Sequence, residues 1–394
     1  MKPKISRIAE QLTGSAIVEN RRKADLLEAK GISIVDFGVG EPNFQAPACA
    51  VEAAIESIKS GQGNYIDPRG LPELRQEIAE MVTRRHSYPV NQENVVVTTG
   101  SYGALTIAAR TLLDAGDQVL LPEPFWGPYR NIVQLTGAVP VSVPGTAVGA
   151  KFVVDPEALR AQITPLTRAL VINSPNNPTG RVLAINELHA VAEIALENNL
   201  WIISDEVYSE LVFDSAKHIS IASLSPEVAA RCVVVSSLSK SFAMTGWRLG
   251  YCIAPPEVAQ VIARINHYSV RCPTSFVQYA AVATLRGAWD DVERMRKAYL
   301  GRRNLVIERI SGLPGVSMDP PQGTFYAFPR IPESWGTGKS FAERLLNEEG
   351  VIVSAGGAYG KSASQHFRIS FATSEKILRE GFDRIDRMTA KLGV

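Results

Sequence analysis

A lysine set among serines, with an arginine eight residues on, marks the stretch best equipped for chemistry: Ser236-Ser237-Leu238-Ser239-Lys240-Ser241, then Phe242 to Arg248. Serine hydroxyls and a guanidinium are donors suited to a phosphate. A lysine held among apolar neighbours can lose its proton and act as an amine nucleophile. Taken alone, a lysine in a serine-rich loop is ordinarily a solvated charge. Other residues share its promise. Asp205 closes the apolar run Leu200 to Ser204, and a carboxylate there is costly unless a cation meets it or it caps a helix. Asn176 and Asn177 stand between Pro175 and Pro178, which fix a rigid turn able to present an amide. Arg368 alternates with Phe367 and Ile369 and so projects from the other face of its strand, a face expected to meet solvent.

These residues need elements to hold them. Val233 to Val235 reads as a buried strand, with Leu249 to Ala254 as another, which puts Lys240 in a loop just past a strand's carboxyl end. Open α/β sheets bind ligands at that edge. Val95 to Thr99 is a strand, Gly100-Ser101-Tyr102-Gly103 a turn, and Ala104 to Leu113 a helix, so unpaired N–H groups face the turn and suit an anion. Val119 to Leu121 delivers Trp126, and Arg168 to Asn173 delivers the asparagine pair. Strands alternate with helices from about residue 94 to 254, the pattern of a parallel sheet with right-handed crossovers. The segment 256 to 311 is helix-rich, and 315 to 394 mixes strands and helices in an α+β lobe. Near the start, Ile34 to Phe37 runs into Gly38-Val39-Gly40-Glu41-Pro42, a turn where backbone can approach a ligand.

In this order and spacing, Asn176 to Gly180, Asp205 to Tyr208, Ser237 to Lys240 with Arg248, and late Arg368 resemble the class I/II pyridoxal-phosphate-dependent aminotransferases. The resemblance runs from Gly40 to Arg368. It implies the α/β architecture called fold type I: a mostly parallel central sheet flanked by helices, plus a smaller α+β domain. The implied division is 1–45 for an N-terminal arm and part of the small domain, 46–290 for the large cofactor-binding domain, and 291–394 for the C-terminal small domain.

The implied cofactor is pyridoxal 5'-phosphate, carried by Lys240 as its Schiff-base lysine, which also shuttles the substrate's proton. Asp205 would pair with the pyridine nitrogen, Tyr208 and Asn177 with the phenolic oxygen, and Trp126 would stack on the ring. Ser237, Arg248 and the backbone at Ser101 and Tyr102 would hold the phosphate. Tyr65 would reach the phosphate of a neighbouring subunit, which implies a homodimer with shared active sites. Arg368 would grip the substrate α-carboxylate beside Gly40, with Asn177 also touching substrate. Bacterial aspartate-specific members often carry a lysine where this chain has Tyr102, so aspartate preference is in doubt. Arg271 or His267, in a segment that reaches the partner's site in the family, could restore the charge, or both could lie on the surface. Tyr102 with Phe325, Tyr326 and Phe328 suggests an apolar wall and a broad or aromatic and aliphatic substrate range.

Size and charge narrow the field. The chain has 394 residues, 45% of them hydrophobic, enough for a large core in two lobes. Its 41 basic and 40 acidic residues leave a net charge of +1, which gives no footprint for nucleic acid or an anionic membrane. Four scattered cysteines without metal-type spacing read as reduced core thiols of a cytoplasmic protein. The mixed-charge N-terminus lacks a secretory signal, and no apolar run could span a bilayer. The expectation is an enzyme that moves the amino group of an α-amino acid to a 2-oxo acid in ping-pong fashion. A lyase using the same cofactor remains open, because these motifs do not fix which substrate bond breaks. A DNA-binding regulator built on the fold would need a domain ahead of Gly40, for which the chain has too little room.

Overall fold

Apolar runs of four to seven residues punctuate the middle of the chain, and in the computed structural model, which describes residues 4–12, 14 and 16–392, they form one seven-stranded sheet. Its strands are β1 (Val95–Thr98), β2 (Gln118–Pro122), β3 (Val139–Val143), β4 (Thr167–Asn173), β5 (Trp201–Asp205), β6 (Cys232–Ser237) and β7 (Gly250–Ile253). They lie in the order β1-β7-β6-β5-β4-β2-β3. All neighbours are parallel except β7, which runs antiparallel to β1 and β6. Successive side chains go to opposite faces. Val95 and Val97 enter one core with Leu170, Ile202 and Val234, while Val96 enters another with Val171, Ile203 and Val235. Both faces are therefore covered by helices, as a parallel sheet requires.

A third core gathers Val35 and Phe37 from the N-terminal side with Phe325, Tyr326, Phe341, Phe367, Ile369 and Phe382 from the C-terminal side. It is built around a three-stranded sheet of β8 (Tyr326–Ala327), β9 (Ser354–Ala355) and β10 (Phe367–Ser370), with β10 in the middle. The pair Val35–Asp36 and Val351–Ile352 adds a short parallel ladder. The 23-residue helix Trp289–Ser311 packs Met295, Tyr299 and Val306 into this lobe.

Three sequence expectations change. Arg368 does not face solvent: every residue of β10 is buried, and Arg368 is 1% exposed. Alternation tells which residues share a face but not whether another layer covers it. The helix expected from Ala104 begins at Gly100, where a φ of 74° turns the strand directly into the helix. That conformation is one that glycine adopts at little cost. Lys240 lies in a one-turn helix, Leu238–Ser241, rather than a loop, with the Ser237 hydroxyl at its N-cap accepting from Ser239 N–H at 3.4 Å. All four cysteines are free, and no helix among the described residues is long and apolar enough to cross a membrane.

Candidate active site

Strand register assembles the site. At the carboxyl edge, Asn173 of β4 lies beside Asp205 of β5, while Ser237 of β6 and Thr98 of β1 flank Gly250 of β7. These strand ends and the segments leaving them carry most of the residues singled out from sequence. Asp205 is 4% exposed and accepts a 2.6 Å hydrogen bond from the Tyr129 hydroxyl at Oδ2. Burial pushes its carboxyl up to about 6, against the pull of that bond. Asn173 steadies both neighbours: its amide donates to the Asp205 carbonyl at 2.9 Å and its oxygen accepts from Asn177 N–H at 2.7 Å.

Lys240 is half-buried, with Nζ 5.9 Å above the Phe325 ring and 2.7 Å from the Gly40 carbonyl to which it donates. Burial lowers its amine to about 8, with Glu41 pulling the other way and Arg368 and Arg248 adding to the fall. A useful fraction of a nucleophilic free amine is thus present near neutrality.

Arg368 donates to the Gly38 carbonyl at 2.5 Å and to Asn177 Oδ1 at 3.0 Å, and its guanidinium lies 4.2 Å from the centre of the Tyr326 ring. Its Nε has no partner, and no carboxylate lies at ion-pair distance from it among the described residues. Tyr326 also meets the Tyr208 hydroxyl at 3.2 Å, and a side chain on Gly40 would collide with the Tyr326 hydroxyl. Burial, followed by the Tyr326 contact, raises the Tyr208 phenol well above its ordinary value.

Opposite these groups is an anion cradle. Arg248, in the left-handed conformation at φ 54°, sets its guanidinium so close to Gly100 that a Cβ there would lie 2.6 Å from Nη2. A Cβ on Gly250 would lie 2.7 Å from Ser101 N. Glycines thus bring the helix start at Ser101 and Tyr102 close to Arg248 and to the end of β6, where buried Ser237 sits. N–H groups at a helix start plus a guanidinium make a phosphate site.

Some expected residues stand apart. Tyr65 is 77% exposed, and Arg271 lies 5.2 Å over its ring while bonding His267 at 3.1 Å. The aromatic wall is not continuous: Trp126 packs edge-on against Tyr102 at 4.7 Å, while Phe328 belongs to another cluster with Phe152 and Tyr359. Tyr129 escaped the sequence reading. Its only signal was its place three residues after Trp126, at the start of the helix Pro128–Gln134.

Comparison with known proteins bears on what this arrangement does. The family model described as aminotransferase class I and II matches residues 32–385. The chain belongs to this family of aminotransferases. An aspartate aminotransferase of Geobacillus stearothermophilus is 38% identical, covering 98% of both chains. An aromatic-amino-acid aminotransferase of Thermococcus litoralis is 39% identical over 94% of this chain and 95% of its own. Among solved structures, the Thermus thermophilus aspartate aminotransferase with maleate superposes at a TM-score of 0.92, with 36% identity over 98% of this chain and all of that one. The protein is therefore a pyridoxal-phosphate-dependent aminotransferase of fold type I, acting on amino acids and 2-oxo acids. The residues present fit the cofactor. The glycine-lined cradle suits its phosphate, the buried Asp205 carboxyl suits a ring nitrogen, and the depressed Lys240 amine suits its carbonyl.

Proposed function

We propose that Lys240 is the lysine that holds pyridoxal phosphate covalently and moves the substrate's α-proton. When bound, the cofactor supplies a carbonyl that joins amines and a ring that takes up the electron pair released at the α-carbon. Asp205, held by Tyr129, binds the ring nitrogen and keeps it protonated, which also offsets the cost of burying the carboxylate. Tyr208 donates to the ring's phenolic oxygen. Asn177, whose amide oxygen is taken by Arg368, donates through its NH2 to the same oxygen and to substrate. Trp126 stacks on the ring face, and Ser237, Arg248 and the Ser101 and Tyr102 N–H groups grip the phosphate.

Arg368 takes the substrate α-carboxylate. The observation that carries this reading is its burial with an open Nε and no carboxylate, since a guanidinium so enclosed is costly until an anion meets it. Gly40 leaves room beside it. With the carboxylate anchored there, Lys240, set free as an amine when the substrate's amine takes its place, would take the proton from the α-carbon and carry it to a position two bonds away. Repetition of the sequence in reverse with a 2-oxo acid completes the ping-pong cycle.

The preferred substrates in this reading are neutral amino acids with apolar or aromatic side chains, because Tyr102 stands beside Trp126 where a cation would be needed for a second carboxylate. The protein works as a cytoplasmic homodimer in which exposed Tyr65 reaches the partner's phosphate, and it divides at about residues 45 and 290. The core that joins Val35 and Phe37 to the C-terminal strands supports that division, with Val207 and Phe213 of the large domain packed into it. The test is to mix purified holoprotein with a panel of amino acids and follow conversion of bound cofactor to pyridoxamine phosphate. Conversion by phenylalanine, tyrosine or leucine, abolished in K240A and weakened about a hundredfold in kcat/KM by R368A, is expected. Conversion by aspartate alone would overturn the substrate assignment, and conversion that survives in K240A would overturn the lysine.

A further inference from the structure

The turn 38–41 touches two cations of the site and reaches the third, Arg248, through Thr245. The Gly38 carbonyl accepts from Arg368 at 2.5 Å, and the Gly40 carbonyl accepts from Lys240 at 2.7 Å. Glu41 accepts a hydrogen bond from the Thr245 hydroxyl, and the Thr245 carbonyl accepts from Arg248 Nη1 at 2.8 Å. Glu41 is solvent-exposed and has no part in any of the three cores, so packing does not explain its place. We propose that Glu41 is a positioning residue: its grip on Thr245 pins the turn 38–41 to the segment 240–248 and thereby holds the Lys240 amine and the Arg248 guanidinium in working position.

Two physical effects follow from one carboxylate. As a hydrogen-bond acceptor, it fixes Thr245, whose carbonyl supports Arg248, a group that must stay in register to hold a phosphate. As a charge, it favours the ammonium form of Lys240. The charged groups facing that amine are Glu41 and Asp205, which favour the ammonium, and Arg368 and Arg248, which oppose it; burial is the largest influence, and Glu41 the largest opposing it. Removing the charge frees the amine at lower pH. Removing the hydrogen bond loosens Arg248. The two effects are separable, because glutamine keeps an acceptor for Thr245 while losing the charge, and Thr245→Ala loses the bond while keeping the charge.

This inference rests on Lys240 being the cofactor lysine, so its test includes that residue. Full-length protein stripped of cofactor is mixed with pyridoxal phosphate across pH 6 to 9, and the rate of capture is followed by absorbance; release is then timed by dilution into a trap. Capture by a free amine rises with pH as Lys240 loses its proton. In E41Q the midpoint is expected to fall by about half a pH unit, making capture about threefold faster on the acid side. Release from E41Q stays near the wild-type rate. In E41A the midpoint falls likewise and release quickens about tenfold, while T245A shows the faster release with an unmoved midpoint. Capture that persisted in K240A would remove the lysine assignment and this inference with it. Capture that depends on Lys240 but has the same midpoint in E41Q and wild type, or release from E41A and T245A within twofold of wild type, would overturn the role of Glu41 alone.

Discussion

The Tyr129 hydroxyl donates to Asp205 Oδ2 at 2.6 Å, and both side chains are enclosed at the carboxyl edge of the sheet. The bond has a direction of effect. It stabilises the Asp205 carboxylate against burial, which alone raises that carboxyl further. Tyr129→Phe keeps the ring packed against Trp126 at its 5.3 Å contact but removes the donor. A hydrogen bond to a charged group is worth about 2 kcal/mol, so kcat should fall about thirtyfold. The acidic limb of its pH profile should move to higher pH, because Asp205 would hold its proton more tightly. A packing role would lower kcat without moving the limb.

Asp205 also makes stability depend on pH when pyridoxal phosphate is removed. Its folded value of about 6 lies above the ordinary 3.8, so folding favours the protonated form. The stabilisation from this proton is complete below about pH 4 and is lost as pH rises through 6. The loss amounts to about 3 kcal/mol at pH 8. Denaturant titrations of the stripped protein should show Asp205→Asn gaining stability over wild type between pH 5 and 8. An unchanging difference between the two across that range would exclude the effect.

Gly100 tests the phosphate cradle without replacing a charged residue. Its φ of 74° and the 2.6 Å approach of Arg248 Nη2 to a built Cβ both resist alanine. A left-handed alanine costs about 1–2 kcal/mol of stability with or without cofactor, and the displaced guanidinium loses its place on the phosphate. Gly100→Ala should therefore raise the Kd for pyridoxal phosphate about tenfold or more. Equilibrium dialysis would measure it, and an unaltered Kd would mean that Arg248 does not hold the phosphate.

Tyr102 is 46% exposed and stands edge-on to Trp126. Tyr102→Lys puts an ammonium there, and a half-exposed charge pair is worth about 1 kcal/mol. Steady-state kinetics should show kcat/KM for aspartate relative to phenylalanine rising about fivefold to tenfold. A ratio that does not move would place the substrate side chain elsewhere.

Much of this was legible in the chain. The apolar runs that become β1, β2, β4, β5 and β6 announced strands, and residues at or just past their ends, Trp126, Asn177, Asp205 and Lys240, stood out because ligands in such sheets bind at one edge. Local chemistry makes such a reading possible: apolar periodicity, proline-bounded turns and a carboxylate ending an apolar strand are visible within a few residues. The burial of Arg368 was not visible, because alternation along Phe367–Ser370 reports faces but not what covers them. Nor was the partnership of Tyr129 with Asp205, 76 residues apart, or that of Gly40 with Lys240, 200 apart. Sequence thus determined which residues can do chemistry and which strand ends present them. Only the tertiary structure decided which carbonyls, hydroxyls and charges face one another, because those contacts join segments whose own patterns carry no trace of their partners.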